Sequence, residues 1–287
     1  MKQLSIHTVC VCGAGTMGRG IAEVIAQNKF DTILYDLDQA AVTNAREMID
    51  RNMQRLVDKG KMTNEERIAV LSRLHFVSDI NECKADILIE AIVENLQAKI
   101  NLFNELSAFN KKTTILATNT SSLSVSDIAA GVANPERVIG LHFFNPAIIM
   151  KLVEVVQGVE TSEQVVQGAF SFIHSMNKTP VLCKDVPGFI VNRVARPYYL
   201  VALRLVEAGI VEIKTIDLLL ESTGFKMGPF KLMDLIGNDI NFAVSQSLYQ
   251  QLGRAARLEP SLLQQEKVNL GNLGRKTGKG YYDYPTE

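Results

Sequence analysis

A short buried strand from His7 to Cys12 runs into Gly13-Ala14-Gly15-Thr16-Met17-Gly18, and the residues that follow, IAEVIAQN, carry the apolar spacing of a helix. The stretch FDTILYDLD then reads as a second strand ending at Asp36. A strand, a helix opened by glycines and another strand within about 30 residues make a βαβ unit. Such a unit has one handedness and lays its two strands parallel in one sheet. No other feature restricts the fold of this chain as strongly.

The pattern continues. A charged, helix-prone stretch from Gln39 to Arg73 is interrupted near KGKMTNEE, where Thr63 and Glu66 have the spacing of a capping box, so two helices are expected. Strands at LHFVSD, ADILIEAI, TTILATNT and RVIGLHFF alternate with helices over about 96–109 and 125–131. This alternation predicts an α/β fold: a Rossmann-like, doubly wound, mostly parallel sheet with residues 39–73 as a helical hairpin insertion. The connection from Asn145 to Lys151 is too short for a crossover helix, so RVIGLHFF and KLVEVVQG are expected to pair antiparallel at the sheet edge. A helix over 162–176 and a strand at TPVLCK follow. Beyond DVPGFIVNR the periodicity is helical throughout, over 189–208, 215–223, 230–252 and 260–270. The expected domains are residues 1–184, the Rossmann-like unit, and 185–287, all-helical.

Composition narrows the function. A formal net charge of -1 over 287 residues gives no general field for nucleic acid or an anionic membrane, so a charged ligand must be recognised by local clusters. The four cysteines, Cys10, Cys12, Cys83 and Cys183, have neither CxxC nor zinc spacing and read as reduced, buried thiols. No ligand cluster points to a metal. The N-terminus lacks the apolar core of a leader, and no apolar run approaches a membrane span, so a cytoplasmic protein is expected.

The glycines of the Gly13–Gly18 loop permit a tight turn, close approach of a pyrophosphate to backbone, and close helix packing. The helix that they open presents N–H groups and a positive dipole to phosphate. Asp36 stands where an acidic residue takes ribose hydroxyls. A carboxylate there repels a 2′-phosphate, and no arginine follows in DLDQAAV, so NAD is preferred to NADP. FAD proteins share the fingerprint but usually need more chain. A plain glycine turn in an α/β protein is the alternative.

His142 and Glu154 interrupt apolar strands, and a hairpin centred near Ala147 places them almost opposite one another. A histidine suits the removal of a hydroxyl proton near neutral pH, and a carboxylate fixes its tautomer. Asn119, Thr120, Ser121 and Ser122 stand at the C-terminal edge of a strand, where open α/β sheets bind ligands, although such hydroxyls also cap helices. Asn192 is an amide among apolar residues at the start of the helical domain and is expected to face the cleft between the two domains.

Taken together, GAGTMGRGIA, EAIVEN, NTSSL, GLHFFNP, MKLVEV, PGFIVNR and MGPF resemble the 3-hydroxyacyl-CoA dehydrogenase family along essentially the whole chain. The resemblance implies reversible oxidation of an L-3-hydroxyacyl-CoA to the 3-ketoacyl-CoA with NAD. It implies His142 as general base, Glu154 as its orienting partner, and Ser121 and Asn192 at the reacting oxygen. For NAD it implies the loop Gly13, Ala14, Gly15, Thr16, Met17 and Gly18, then Asp36, Glu94, Lys99, Ser121, Asn145 and Lys276. For CoA it implies Asn52 and Lys59 of the helical hairpin, together with Ser121. Asn52 replaces the serine of relatives, but Asn52, Arg55 and Lys59 share one helix face suited to phosphate. A homodimer through the C-terminal domain is also implied. The rival readings are a dehydrogenase of a dicarboxylic acyl-CoA such as 3-hydroxyadipyl-CoA, one of a sugar acid without CoA, and a non-enzymatic NAD-binding protein.

Overall fold

The computed structural model describes residues 5–285. The chain divides into one unit ending at Val186 and a second beginning at Pro187.

The first unit runs β1 (Thr8–Cys12), α1 (Thr16–Gln27), β2 (Asp31–Tyr35), α2 (Gln39–Asp58), α3 (Asn64–Leu71), β3 (Leu74–Val77), β4 (Ile87–Glu90), α4 (Leu96–Ser107), β5 (Ile115–Thr118), α5 (Val125–Ala130), β6 (Val138–Phe143), β7 (Leu152–Gln157), α6 (Glu163–Ser175) and β8 (Thr179–Lys184). Its sheet has eight strands in the order β3-β2-β1-β4-β5-β6-β7-β8. Strands β1 to β6 are parallel; β7 is antiparallel to β6, and β8 runs parallel with β7. The strand order reverses between β1 and β4, which is where a doubly wound sheet opens a crevice at its carboxyl edge. The glycine loop leaves β1 at that crevice.

These elements form for local reasons. Strand β4 is buried at all four positions and β6 at all six, as expected of strands covered on both faces. Helix α1 turns Ile21, Ala22 and Ile25 onto Val9, Val11 and Leu34. Burial of each such isoleucine stabilises by about 1.5–3 kcal/mol. The capping box is present, with Thr63 accepting from Glu66 N–H and the Glu66 carboxylate accepting from Thr63 N–H. All four cysteines are buried free thiols.

The second unit holds α7 (Val191–Glu207), α8 (Ile213–Ser222), α9 (Pro229–Ile236), α10 (Asn238–Gln251) and α11 (Leu262–Asn269). The single helix expected over 230–252 is two. Gly237 has φ of 107°, a conformation no right-handed helix contains, and it ends α9 and starts α10.

Candidate active site

Strands β6 and β7 pair His142 directly with Glu154. Nδ1 of His142 lies 2.7 Å from Oε2 of Glu154, and both residues are buried, at 6% and 1% exposure. The imidazole rests against the Phe144 ring, centroids 4.4 Å apart. Two contacts fix this hairpin further. Phe143 N–H donates to Oδ1 of Asn119 at 2.9 Å, tying β6 to the end of β5. The buried Lys178 ammonium donates to the carbonyls of Ala147 (2.6 Å) and Met150 (2.7 Å), clamping the connection between the strands. Burial holds the Lys178 pKa below the ordinary lysine range.

The three loop glycines differ in what requires them. Gly13 has φ of 105°, and a Cβ there would come within 2.6 Å of Ala91 O. A Cβ on Gly18 would run into Gly13 O. Gly15 has an ordinary φ of -65° and nothing within 4 Å of where its Cβ would stand. Internal packing thus explains Gly13 and Gly18 and places no demand on Gly15. Gly15 is also the N-cap of α1, without a side-chain cap and without an acidic residue in the first turn, so its N–H groups suit a pyrophosphate. Asp36 braces the loop: its Oδ2 accepts from Ala14 N–H at 2.7 Å and its Oδ1 from Asp38 N–H at 3.0 Å. These residues fit a dinucleotide.

Glu94 gathers the loop after β5. Its Oε1 accepts from the Thr120 hydroxyl, from Ser121 N–H at 3.1 Å and from the Ser122 hydroxyl at 3.0 Å. Its Oε2 stands 3.2 Å from the Lys99 ammonium. Lys99 is 1% exposed and also donates to both oxygens of Glu90, at 2.8 and 2.7 Å. Its ammonium therefore acts on carboxylates and, through Glu94, on the Ser121 loop. Burial opposes ionisation of both acids; it raises Glu90 above the usual range, while Lys99 and the hydroxyl donors hold Glu94 below it.

The other expected residues fall in several places. Asn145 is exposed, just past β6. Asn52 donates to Oε2 of Glu23 at 3.3 Å, linking α2 to α1, and Lys59 is exposed at the end of α2. Burial pushes the Glu23 carboxyl up to about 7 against the pull of Asn52 and Arg19. In the second unit, Asn192 lies in the first turn of α7, and the Lys276 ammonium is 2.7 Å from Oδ2 of Asp239. The segment carrying Lys276 is held by buried Asp234, which accepts from Tyr281 N–H, Tyr282 N–H and the Tyr284 hydroxyl.

Sequence reasoning passed over Glu90, Lys178 and Asp234. Glu90 stood as a lone charge in ILIEAI, the same signal that singled out His142 and Glu154. Among the described residues, no group of three or more His, Cys, Asp and Glu side chains could hold a metal ion.

Comparison with known proteins bears on this geometry. Residues 8–186 match the model of the 3-hydroxyacyl-CoA dehydrogenase NAD binding domain, and residues 188–284 match that of the C-terminal domain of the same family. A 3-hydroxyadipyl-CoA dehydrogenase of Escherichia coli K12 is 47% identical over 286 residues, covering 99% of this chain and 60% of that protein. This chain thus spans about three fifths of that relative. A probable 3-hydroxybutyryl-CoA dehydrogenase of Deinococcus radiodurans is 39% identical over 276 residues, 96% of this chain and 99% of the relative. The crystal structure of the (S)-3-hydroxybutyryl-CoA dehydrogenase of Ralstonia eutropha superposes with a TM-score of 0.93 at 34% identity, covering 98% of this chain and 100% of that one.

Proposed function

The chain belongs to the 3-hydroxyacyl-CoA dehydrogenase family, and from that premise we propose that it oxidises the 3-hydroxyl of an L-3-hydroxyacyl-CoA, reversibly. The observation that carries the reading is the buried pair of His142 Nδ1 and Glu154 Oε2 at 2.7 Å. NAD, when bound, supplies the hydride acceptor. With Nδ1 engaged by Glu154, Nε2 of His142 takes the hydroxyl proton. Glu154 keeps the ring in that tautomer and stabilises the imidazolium that forms. Ser121 and Asn192 hold the reacting oxygen, and the Glu94 hydrogen bonds set the Ser121 backbone. Asp36 and the α1 N-terminus hold the adenosine and pyrophosphate ends of NAD, with Glu94, Asn145 and Lys276 as further contacts and Lys99 acting through Glu94. Asn52 and Lys59 are assigned to CoA.

A second reading has a specific observation behind it: the E. coli relative at 47% identity is named for 3-hydroxyadipyl-CoA, a dicarboxylic ester. We also propose a homodimer through the second unit, where Ile210, Leu218, Leu219 and Phe225 are all more than half exposed. A cytoplasmic location belongs to the same proposal; no helix among the described residues is long and apolar enough to cross a membrane.

The test is NADH consumption with acetoacetyl-CoA, compared with NADPH and with free acetoacetate. Turnover confined to NADH and the ester supports the reading. Turnover of the free acid, or none with NADH bound, overturns it.

A further inference from the structure

Four lysine and arginine side chains are buried among the described residues, and their partners differ. Lys99 lies between two carboxylates. Arg137, Lys178 and Arg196 are buried without one. Arg137 donates to Thr114 O just ahead of β6, at the edge of the sheet opposite the glycine loop. Lys178 spends its donors on two carbonyls of the β6–β7 connection. Arg196 is different. It sits in α7, 2% exposed, one turn after Asn192, whose carbonyl accepts from its Nε at 3.3 Å.

The guanidinium is held at two of its three nitrogens, Nε and Nη1. Nη1 donates to Asn241 O at 3.0 Å, to Asn241 Oδ1 at 3.3 Å and to the Ser245 hydroxyl at 2.7 Å. The Tyr199 ring stacks at 4.8 Å. Nη2 has no protein partner among the described residues and is not one of the sealed polar atoms, so it stays within reach of solvent. Burial lowers the Arg196 pKa to about 10, which leaves the group charged at neutral pH. A buried cation without its anion is destabilising, and neutral amides and hydroxyls offset this only in part. Fixed at Nε and Nη1 with Nη2 unbonded, the guanidinium is preorganised to give that one nitrogen to a carboxylate.

We propose that Arg196 is a specificity-determining residue that binds the terminal carboxylate of a dicarboxylic 3-hydroxyacyl-CoA. The inference rests on the dehydrogenase reading above, which puts Asn192 at the oxygen on C3. Residues four apart on a helix share a face with Cβ atoms about 5–6 Å apart. A carboxyl group a few carbons beyond C3 lies at a comparable span, so one helical face would read both ends of a short dicarboxylic chain. A monocarboxylic chain leaves the cation without its anion.

The experiment compares 3-hydroxyadipyl-CoA with 3-hydroxyhexanoyl-CoA, an ester of equal chain length without the second carboxylate. For the wild-type enzyme, kcat/KM is expected to favour the dicarboxylic ester by about 10-fold or more, chiefly through KM. In Arg196→Met the ratio of the two values is expected to fall by ~100-fold, with Arg196→Lys between the two. A wild-type enzyme without preference for the dicarboxylic ester overturns the inference, whether or not the variants fold. Equal losses on both esters in Arg196→Met overturn it too, because they mean that the arginine only joins α7 to α10. Turnover of neither ester, nor of 3-hydroxybutyryl-CoA, overturns the dehydrogenase reading itself.

Discussion

His142 and Glu154 are cross-strand neighbours in an antiparallel pair, and their side chains meet at 2.7 Å inside the sheet. The register makes the contact: a slip of either strand by one residue would turn its side chain to the other face and part the pair. Glu154→Gln keeps the size of the side chain but removes the charge that stabilises the imidazolium. It is expected to lower kcat by ~10²-fold or more, the scale of general-base catalysis, while the Kd for NADH stays within about threefold of wild type. Steady-state kinetics and fluorescence titration of NADH give both values; a kcat near wild type would remove Glu154 from the mechanism.

The two glycines at either side of Thr16 and Met17 should separate folding from binding. Gly18→Ala drives a methyl group against Gly13 O and is expected to destabilise by about 1–3 kcal/mol, as overpacking does. Gly15→Ala has open space and an ordinary φ, so its Tm should match wild type while NADH binding weakens by about 10-fold or more. Calorimetry alongside NADH titration checks both; a folded Gly15→Ala that binds NADH normally would refute the pyrophosphate assignment.

Lys99 and Glu90 form a fully buried pair, at 1% and 0% exposure. Removing one partner strands the other charge, so Lys99→Met is expected to cost about 3–5 kcal/mol of stability. The double variant Glu90→Gln/Lys99→Met should recover much of that loss. Denaturant unfolding of the two single variants and the double variant reads the coupling directly, and strictly additive effects would contradict a paired network.

Glu23 gives the fold a pH dependence. Its carboxyl titrates at about 7 in the folded protein, above the ordinary carboxylate value, because burial disfavours the charge. The protonated form is the one the fold favours, so this contribution is complete below the unfolded-state pKa and is lost as pH rises through 7. Glu23→Gln lacks that loss. Between about pH 4.5 and 8 the wild type should therefore lose roughly 3 kcal/mol relative to Glu23→Gln. Urea unfolding at several pH values measures this, and parallel curves for the two proteins would rule it out.

By itself the sequence determined what rests on short-range periodicity. Alternation of strand and helix patterns specified the doubly wound sheet, a connection too short for a crossover set β6 against β7, and two charges misplaced in apolar runs marked His142 and Glu154. The Thr63–Glu66 capping box was legible because both partners lie within one turn. Tertiary structure decided what depends on which faces meet. Asn52, which sequence placed on a phosphate-facing stripe, bonds Glu23 across two helices and 29 residues of chain. Lys99 is locked between two carboxylates that converge only once β4 and α4 pack. Arg196 reads as one more charge on an amphipathic helix until α10 covers it and leaves Nη2 of the guanidinium unbonded. Backbone periodicity is written locally, whereas desolvation and ion pairing arise only when distant segments exclude water together.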